Sequence, residues 1–311
     1  MTQAILHSLD DGSDIPPGGE VHVLATAGGI ELRVARWRES TTGTNRGTVV
    51  VFHGYTEYIE KYYEVVRELR AQGFAVVTFD WRGQGLSTRL LPNRYKGHVE
   101  DYAHFLSDAL LVYEGFVRAG MSRPHVLLAH SMGGHLGLRF LQDYPGRFER
   151  AVLSAPMLGW DQFPLSVARA VAAANVALGQ GTSYTWLRGD PDPNNPVNDV
   201  TSDEKRFARN GEYLQRAPEL HLGGPTWRWL QQATASTMRI MDRDRLIRVK
   251  TPVLVASAED DRVISSAKHE PLPFLNPAFT VRTIEGAMHE ILQETDEVRA
   301  RFWDRFERFL R

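Results

Sequence analysis

The stretch "LLAHSMGGHLGLRF", residues 127–140, decides the fold. A short aliphatic run ends at His130 and Ser131, and the glycine pair Gly133-Gly134 opens a helical pattern. A chain that leaves a strand this sharply through a serine holds the hydroxyl proud of the sheet. Such a turn needs small residues two positions before and two after the serine, because the strand and helix backbones approach closely. Here they are Ala129 and Gly133, giving A-H-S-M-G in place of the commoner G-x-S-x-G. One added methyl is the smallest departure available and does not exclude the turn.

Outward from this turn, strands and helices alternate. "EVHVLATAGGIELRVARW" (20–37) reads as two extended segments about Gly28-Gly29, a hairpin signal. "GTVVVFHGY" (47–55) reads as a fully apolar strand. "YIEKYYEVVRELRAQG" (58–73) reads as a helix, with Tyr62, Val65, Val66 and Leu69 at helical spacing and Gly73 as its stop. A strand that breaks into a glycine loop (74–85), a helix (99–120), the strand at 125–130, a helix from Gly133 to Tyr144 and a strand at 150–156 continue the series. Short aliphatic strands separated by amphipathic helices predict an α/β fold, its mostly parallel sheet covered on both faces.

After Pro156 the rhythm stops for roughly 90 residues. That stretch holds an Ala-rich helix (about 163–178), a Pro/Asn/Asp tract (188–207) and an aromatic helix (225–241). Strand character returns at "TPVLVASAEDD" (251–261), followed by a helix, by "FTVRTIEGAMHEIL" (279–292) and by a last helix to Arg311. The expected organisation is a core in two parts, 1–156 and 249–311, with a helical cap, 157–248, over the C-terminal edge of the sheet. Apolar and aromatic cap residues, among them Phe163, Leu165, Val167, Trp186, Trp227, Trp229 and Leu230, either wall a substrate site or bury the cap's own inner face.

A serine hydroxyl is a poor nucleophile near neutral pH and needs a base, together with donors for the oxyanion that its attack creates. In sheets with this serine turn, the partners follow in the chain order serine, acid, histidine. "VLVASAEDDRV" offers Glu259, Asp260 and Asp261 after a late strand, and Asp261, directly before Arg-Val, is the expected acid. His289 follows the last strand and is the expected base. The oxyanion donors are expected to be the backbone amides of Met132, next to the serine, and of Tyr55, after "VVVFHG". Gly54 lets that loop approach closely, and His53 is expected to brace it rather than react.

With these residues assembled, the chain resembles the serine hydrolases of the α/β-hydrolase fold, and within them the bacterial lysophospholipase and monoacylglycerol lipase-like branch. The resemblance rests on "FHGYTEYIEKYY", "FDWRGQGLS", "AHSMGG", "SAEDDRV" and "EGAMHEIL", with cap segments "SDEKRFARNGEYLQRAPEL" and "LGGPTW". It implies Ser131 as nucleophile, Asp261 as acid, His289 as base and the Tyr55 and Met132 amides as oxyanion hole. It further implies a structural role for the Asp80–Gly83 loop, no cofactor, and a lipid or small-molecule ester as substrate. A general carboxylesterase on short acyl esters, or a non-catalytic small-molecule receptor on the same fold, are the alternatives.

Composition narrows the partners. With 36 basic and 38 acidic residues the formal charge is −2, so no basic surface dominates and nucleic acid is not an expected partner. The absence of cysteine removes disulfides, thiolate metal sites and cysteine nucleophiles. The N-terminus lacks the layout of a secretory signal, and a cytoplasmic setting is expected. The Ala-rich helix could touch a membrane surface, though it lacks a basic polar face. Ser202 with Lys205 and Ser265 with Lys268 match S-x-x-K without its companion motifs, and "RGQGLST" has Thr88 where a dinucleotide loop has its third glycine. His98, His104, His130 and His135 form no compact ligand pattern, so no metal is expected.

Overall fold

The computed structural model describes residues 4–311 apart from 11, 13, 39, 162, 163, 187, 188 and 193–196; Phe163 thus lies outside the described residues. Among these, one sheet contains β1 (Glu20–Ala25), β2 (Glu31–Trp37), β3 (Thr48–Phe52), β4 (Ala75–Phe79), β5 (His125–His130), β6 (Arg150–Ser154), β7 (Val253–Ala258) and β8 (Phe279–Ile284). Their order across the sheet is β1-β2-β4-β3-β5-β6-β7-β8. β2 runs antiparallel to both its neighbours, and every later pair is parallel.

Every residue of β3, β4, β5 and β7 is buried, as expected where helices cover both faces. Alternation along the strands sorts their side chains into two cores. Val50, Phe52, Leu127 and Ala129 meet α2 (Ala103–Val112) and α3 (Met132–Asp143) on one face. Val49, Val51, Val126 and Leu128 meet α1 (Tyr63–Ala71) and α9 (Asp296–Leu310) on the other. The β1–β2 hairpin turns through Gly28 and Gly29, at φ +85° and +77°, a region that glycine enters without steric cost.

Between β6 and β7 the described chain carries α4 (Leu165–Asn175), α5 (Glu204–Arg216), α6 (Trp227–Ile240) and the short α7 (Arg243–Leu246). α6 is tied to α3: Arg139 donates to Ser236 Oγ at 3.0 Å, and Gln142 donates to the Ile240 carbonyl at 2.9 Å. α5 is tied to α1 through Arg206 and Arg209, 2.6 and 2.9 Å from the Glu64 carboxylate. No helix among the described residues is long and apolar enough to cross a membrane.

Two local expectations need correction. α5 begins inside the Pro/Asn/Asp tract, where no helix was assigned, although Phe207, Asn210, Tyr213 and Leu214 fall on one face at helical spacing. Its start is fixed by Asp203, whose side chain accepts from the Lys205 and Arg206 amides at 3.0 and 2.9 Å. The helix expected after β7 is broken into a 3-10 turn (Ser266–Lys268) and α8 (Leu272–Leu275). Pro271 and Pro273 flank and interrupt that run; proline fits a first helical turn but not its continuation.

Candidate active site

β5 ends at His130 and α3 begins at Met132, leaving Ser131 alone in the turn with φ 51° and ψ −117°. A non-glycine residue held there is strained and persists only where its surroundings over-determine it. They do so here: the Ser131 amide donates to the Ser154 carbonyl, while its own carbonyl accepts from the His135 and Met157 amides, all at 3.0 Å. α3 meets the sheet through its glycines. A Cβ at Gly133 would stand 2.2 Å from the Phe52 carbonyl oxygen and 2.5 Å from that of His53. Ala129 is accommodated from the opposite side, because a Cβ at Gly137 would lie 3.3 Å from the Ala129 methyl. The missing glycine of the pattern is therefore offset by Gly137, one helical turn beyond Gly133.

Ser131, Asp261 and His289 come together. His289 Nε2 lies 2.9 Å from Ser131 Oγ, and His289 Nδ1 lies 2.7 Å from Asp261 Oδ2. An ionised carboxylate only accepts, so Nδ1–H donates to Asp261 and Nε2 is left to accept from the serine hydroxyl. Asp261 Oδ1 accepts from the Val263 and Ile264 amides at 2.8 and 2.9 Å. Burial pushes this carboxyl up, but the His289 contact and the Ile264 and Val263 amides outweigh it and hold the group below the usual carboxylate range. Glu259 and Asp260 are exposed, as solvated loop acids would be.

Met132 is the first residue of α3, where amides have no acceptor within the helix. Tyr55 lies in the loop after β3, its hydroxyl donating to the Gly223 carbonyl at 2.9 Å and its ring 4.9 Å from that of Trp229. The Asp80–Gly83 region braces this loop. Trp81 Nε1 donates to the His53 carbonyl at 2.9 Å, Gln84 Oε1 accepts from the Thr56 amide at 2.7 Å, and Asp80 Oδ1 accepts from the Ile59 amide at 3.0 Å. His53 turns Nδ1 to the Gly54 carbonyl at 2.9 Å and is fully buried.

Sequence reading missed an ionic cluster beneath the site. Lys61 Nζ lies 2.9 Å from Glu57 Oε1 and 2.6 Å from Glu290 Oε1. The other Glu57 oxygen accepts from the Gly54 amide and from the Tyr62 hydroxyl. One buried ammonium thus links the loop carrying Tyr55 to the residue after His289. Burial acts to raise the Glu57 carboxyl, but Lys61, His130 and His53 bring it well below its usual range. The i, i+4 spacing of Glu57 and Lys61 was a visible signal; nothing local marked Glu290.

Two buried histidines near the turn give the protein a pH signature. His135 Nδ1 donates to the Met157 carbonyl at 3.0 Å, and its Nε2 accepts from Ser236 Oγ at 2.8 Å. His130 Nδ1 donates to the Ser154 carbonyl at 3.1 Å. Burial depresses His135 to about 3 and His130 to about 4. The unfolded chain takes up these protons as pH falls below about 6.5, and the native chain does not until far lower, so stability is full above that value and falls on acidification. Each histidine should cost about 2 kcal/mol between pH 7 and pH 5. Urea unfolding at the two pH values checks this, and His135→Gln should remove its own share of about 2 kcal/mol from a difference to which His53, His125, His221 and His269, also lowered by burial, add.

Of the other candidates, Ser202 and His98 are engaged elsewhere, and the Ser265 hydroxyl is buried without a hydrogen-bond partner among the described residues. Ser202 Oγ contacts the Glu294 carboxylate, Ser265 is fully buried, and His98 Nδ1 lies 2.9 Å from Thr226 Oγ1. Among the described residues no group of three or more histidine and carboxylate side chains could hold a metal ion.

A parallel sheet with an antiparallel start, and a serine in the β5–α3 turn facing a histidine and an acid from beyond β8 and β7, define an α/β-hydrolase. The chain belongs to the family described as "Serine aminopeptidase, S33", whose model matches residues 43–296. It is 32% identical over 282 residues to "Lysophospholipase L2" of Escherichia coli strain K12, covering 87% of this chain and 81% of that one. It is 27% identical over 280 residues to "Monoacylglycerol lipase" of Mycolicibacterium smegmatis, covering 89% and 92%. The fold is shared with a soluble variant of monoglyceride lipase from Saccharomyces cerevisiae, at TM-score 0.74 and 19% identity, with 98% of each chain covered.

Proposed function

We propose that this protein is a carboxylic ester hydrolase acting through an acyl-enzyme on lysophospholipids or monoacylglycerols. The observation that carries the reading is the continuous hydrogen-bonded chain from Ser131 Oγ through His289 to Asp261, at 2.9 and 2.7 Å. Ser131 attacks the ester carbonyl as His289 Nε2 takes its proton, and the oxyanion is met by the amides of Met132 and Tyr55. The tetrahedral intermediate collapses, the alcohol departs with the proton from His289, and water repeats the cycle to release the fatty acid. Asp261 fixes the imidazole tautomer and stabilises its charged form. Lipid substrates are supported by the names of the two relatives above, both of which cover most of this chain.

In this reading residues 157–248 form a cap that selects the acyl chain. Trp229 supports that role through its packing on Tyr55, and Trp227, buried like Trp229, packs edge-on against Trp186 within the insertion. Val167, Leu178 and Trp186 are at least half exposed and suit peripheral contact with a lipid surface. In the expected cytoplasmic setting that surface is the inner leaflet.

The test is a series of p-nitrophenyl esters from acetate to palmitate, with fatty acid release from lysophosphatidylcholine and monoacylglycerol, each as dispersed monomer and in vesicles. The lipid reading expects kcat/KM to rise by about tenfold or more toward long acyl chains, each buried methylene adding roughly 0.8 kcal/mol of binding until the pocket ends. Vesicle presentation should raise the rate further. Cleavage confined to short esters would make the protein a general carboxylesterase, and folded protein that cleaves nothing would make it a receptor.

A further inference from the structure

The chain leaves β6 through Ala155 at φ 42°, a left-handed value that a residue with a Cβ keeps only where its surroundings impose it. Two residues later the Met157 amide donates to the Ser131 carbonyl at 3.0 Å, so a shift of this segment reaches the nucleophile. Whatever holds Ala155 to Met157 therefore helps to hold Ser131. The Ala155 amide donates to the Ala256 carbonyl at 2.8 Å, and the next two carbonyls, of Pro156 and Met157, are each taken by a buried imidazole.

The two imidazoles are of opposite tautomer. A carbonyl only accepts, so His135 donates its Nδ1–H to Met157 at 3.0 Å, whereas His269 donates its Nε2–H to Pro156 at 2.9 Å. Each remaining ring nitrogen accepts from a serine: Ser236 Oγ donates to His135 Nε2 and Ser257 Oγ to His269 Nδ1, both at 2.8 Å. Arg139 can only donate, and it gives a hydrogen bond to Ser236 Oγ at 3.0 Å while that serine's own proton points on to His135. Both rings are fully buried, and burial lowers both below the ordinary histidine range. At neutral pH each ring is thus one donor and one acceptor.

The two ties come from different parts of the chain. His135 stands in α3, four residues after the nucleophile, and takes its serine from α6 in the insertion. His269 follows the Ser266–Lys268 turn and takes its serine from β7, four residues before Asp261. The segment beneath Ser131 is therefore fastened to the insertion through one ring and to the connection that carries the acid through the other.

We propose that His135 and His269 are positioning residues for the nucleophile: by clamping successive carbonyls at Pro156 and Met157 they keep the Ser131 carbonyl, and with it the hydroxyl, in place for His289. The inference rests on the ester hydrolase reading and extends it to two side chains outside the Ser131–His289–Asp261 hydrogen bonds. Ser236 and Ser257 act one step further out, by fixing which ring nitrogen carries the proton.

The opposite tautomers supply the test. Asparagine carries its amide nitrogen where histidine has Nδ1, and glutamine carries it where histidine has Nε2. At 135 asparagine keeps the donor to Met157 and glutamine loses it; at 269 glutamine keeps the donor to Pro156 and asparagine loses it. On p-nitrophenyl butyrate kcat should fall about tenfold in His135→Gln and His269→Asn with KM unchanged, and stay within about threefold in His135→Asn and His269→Gln, against the roughly hundredfold that a full ångström of misplacement costs. Rings that only filled space would rank the variants by size, in the same order at both positions. A second measurement needs wild type alone. Nitrogen-15 spectra of its histidines, assigned through their own side-chain correlations, should show His135 locked with the proton on Nδ1 and His269 with it on Nε2, neither titrating between about pH 6 and 8.

The crossed order of the four variants, with the two tautomers fixed as stated, supports the inference. The same order at both positions, a change in KM with kcat kept, or either ring in the other tautomer overturns it and leaves the hydrolase reading standing. Folded wild type that cleaves no ester removes the hydrolase reading, and the positioning role with it, even where the tautomers hold.

Discussion

Ser131→Ala should lower kcat on p-nitrophenyl butyrate by about 10⁶-fold, His289→Ala by a similar factor, and the double variant by little more. The serine is useless without the base that takes its proton, and the base has nothing to deprotonate without the serine, so their losses do not add. Asp261→Asn should cost about 10⁴-fold, because an amide can present its N–H to His289 Nδ1 and favour the wrong tautomer. Folding is not the reason for these losses. Alanine keeps the Cβ that the turn already accommodates at φ 51°, so Ser131→Ala should melt close to wild type. Rates from single-turnover kinetics, read beside thermal melts, check both halves. Retention of more than about 1% of activity by well-folded Ser131→Ala would move the nucleophile elsewhere, since a lost nucleophile leaves far less than this.

The residues of this chain of hydrogen bonds were legible because the turn that carries Ser131 has strict local demands. Small residues at 129 and 133 and a strand-to-helix change in periodicity leave a mark in fourteen residues of sequence. Asp261 and His289 were found by position, each after a strand of aliphatic residues, and the choice of Asp261 over Glu259 and Asp260 rested on its place directly before Arg262 and Val263. The structure supplies a local reason for that choice: Asp261 Oδ1 takes the amides of Val263 and Ile264, which turns Oδ2 toward His289.

What stayed hidden depends on distance in sequence. Glu57 and Glu290 meet only because Lys61 sits between them, and Glu290 is 229 residues from that lysine. No periodicity records such a contact. α5 was hidden for the opposite reason. It is held by ion pairs between Arg206, Arg209 and Glu64 and by the Asp203 cap, and its covered face, Phe207, Asn210, Tyr213 and Leu214, mixes polar with apolar residues. The helix expected after β7 failed because Pro271 and Pro273 outrank the apolar spacing around them.

The second large effect concerns Gly133, where sequence pattern and packing meet most directly. Gly133→Ala should reduce kcat by about 10²- to 10³-fold, the size seen when one oxyanion donor is lost or a reacting group is misplaced by an ångström. It should also destabilise the protein by about 3 kcal/mol, at the upper end for overpacking. The new methyl would meet the backbone oxygens of Phe52 and His53 at 2.2 and 2.5 Å, and backbone at the end of a buried strand cannot swing aside as a side-chain tip can. Whatever yields, the error passes to both sides of the oxyanion: Met132 moves with α3, or His53 and Gly54 move and carry Tyr55 with them. Gly137→Ala is the graded control. Its methyl would meet the movable Leu127 Cδ2 at 2.9 Å and the Ala129 methyl at 3.3 Å, so a cost of about 1 kcal/mol is expected, with a smaller loss of rate. Gly115→Ala has nothing within 4 Å and should stabilise by about 0.5 to 1 kcal/mol, the gain in helix propensity alone. Urea unfolding and kcat on p-nitrophenyl butyrate rank the three. If Gly133→Ala falls beside Gly115→Ala, then the approach of α3 to β3 is soft, and the alignment of the two oxyanion amides must be held by the Asp80 loop instead.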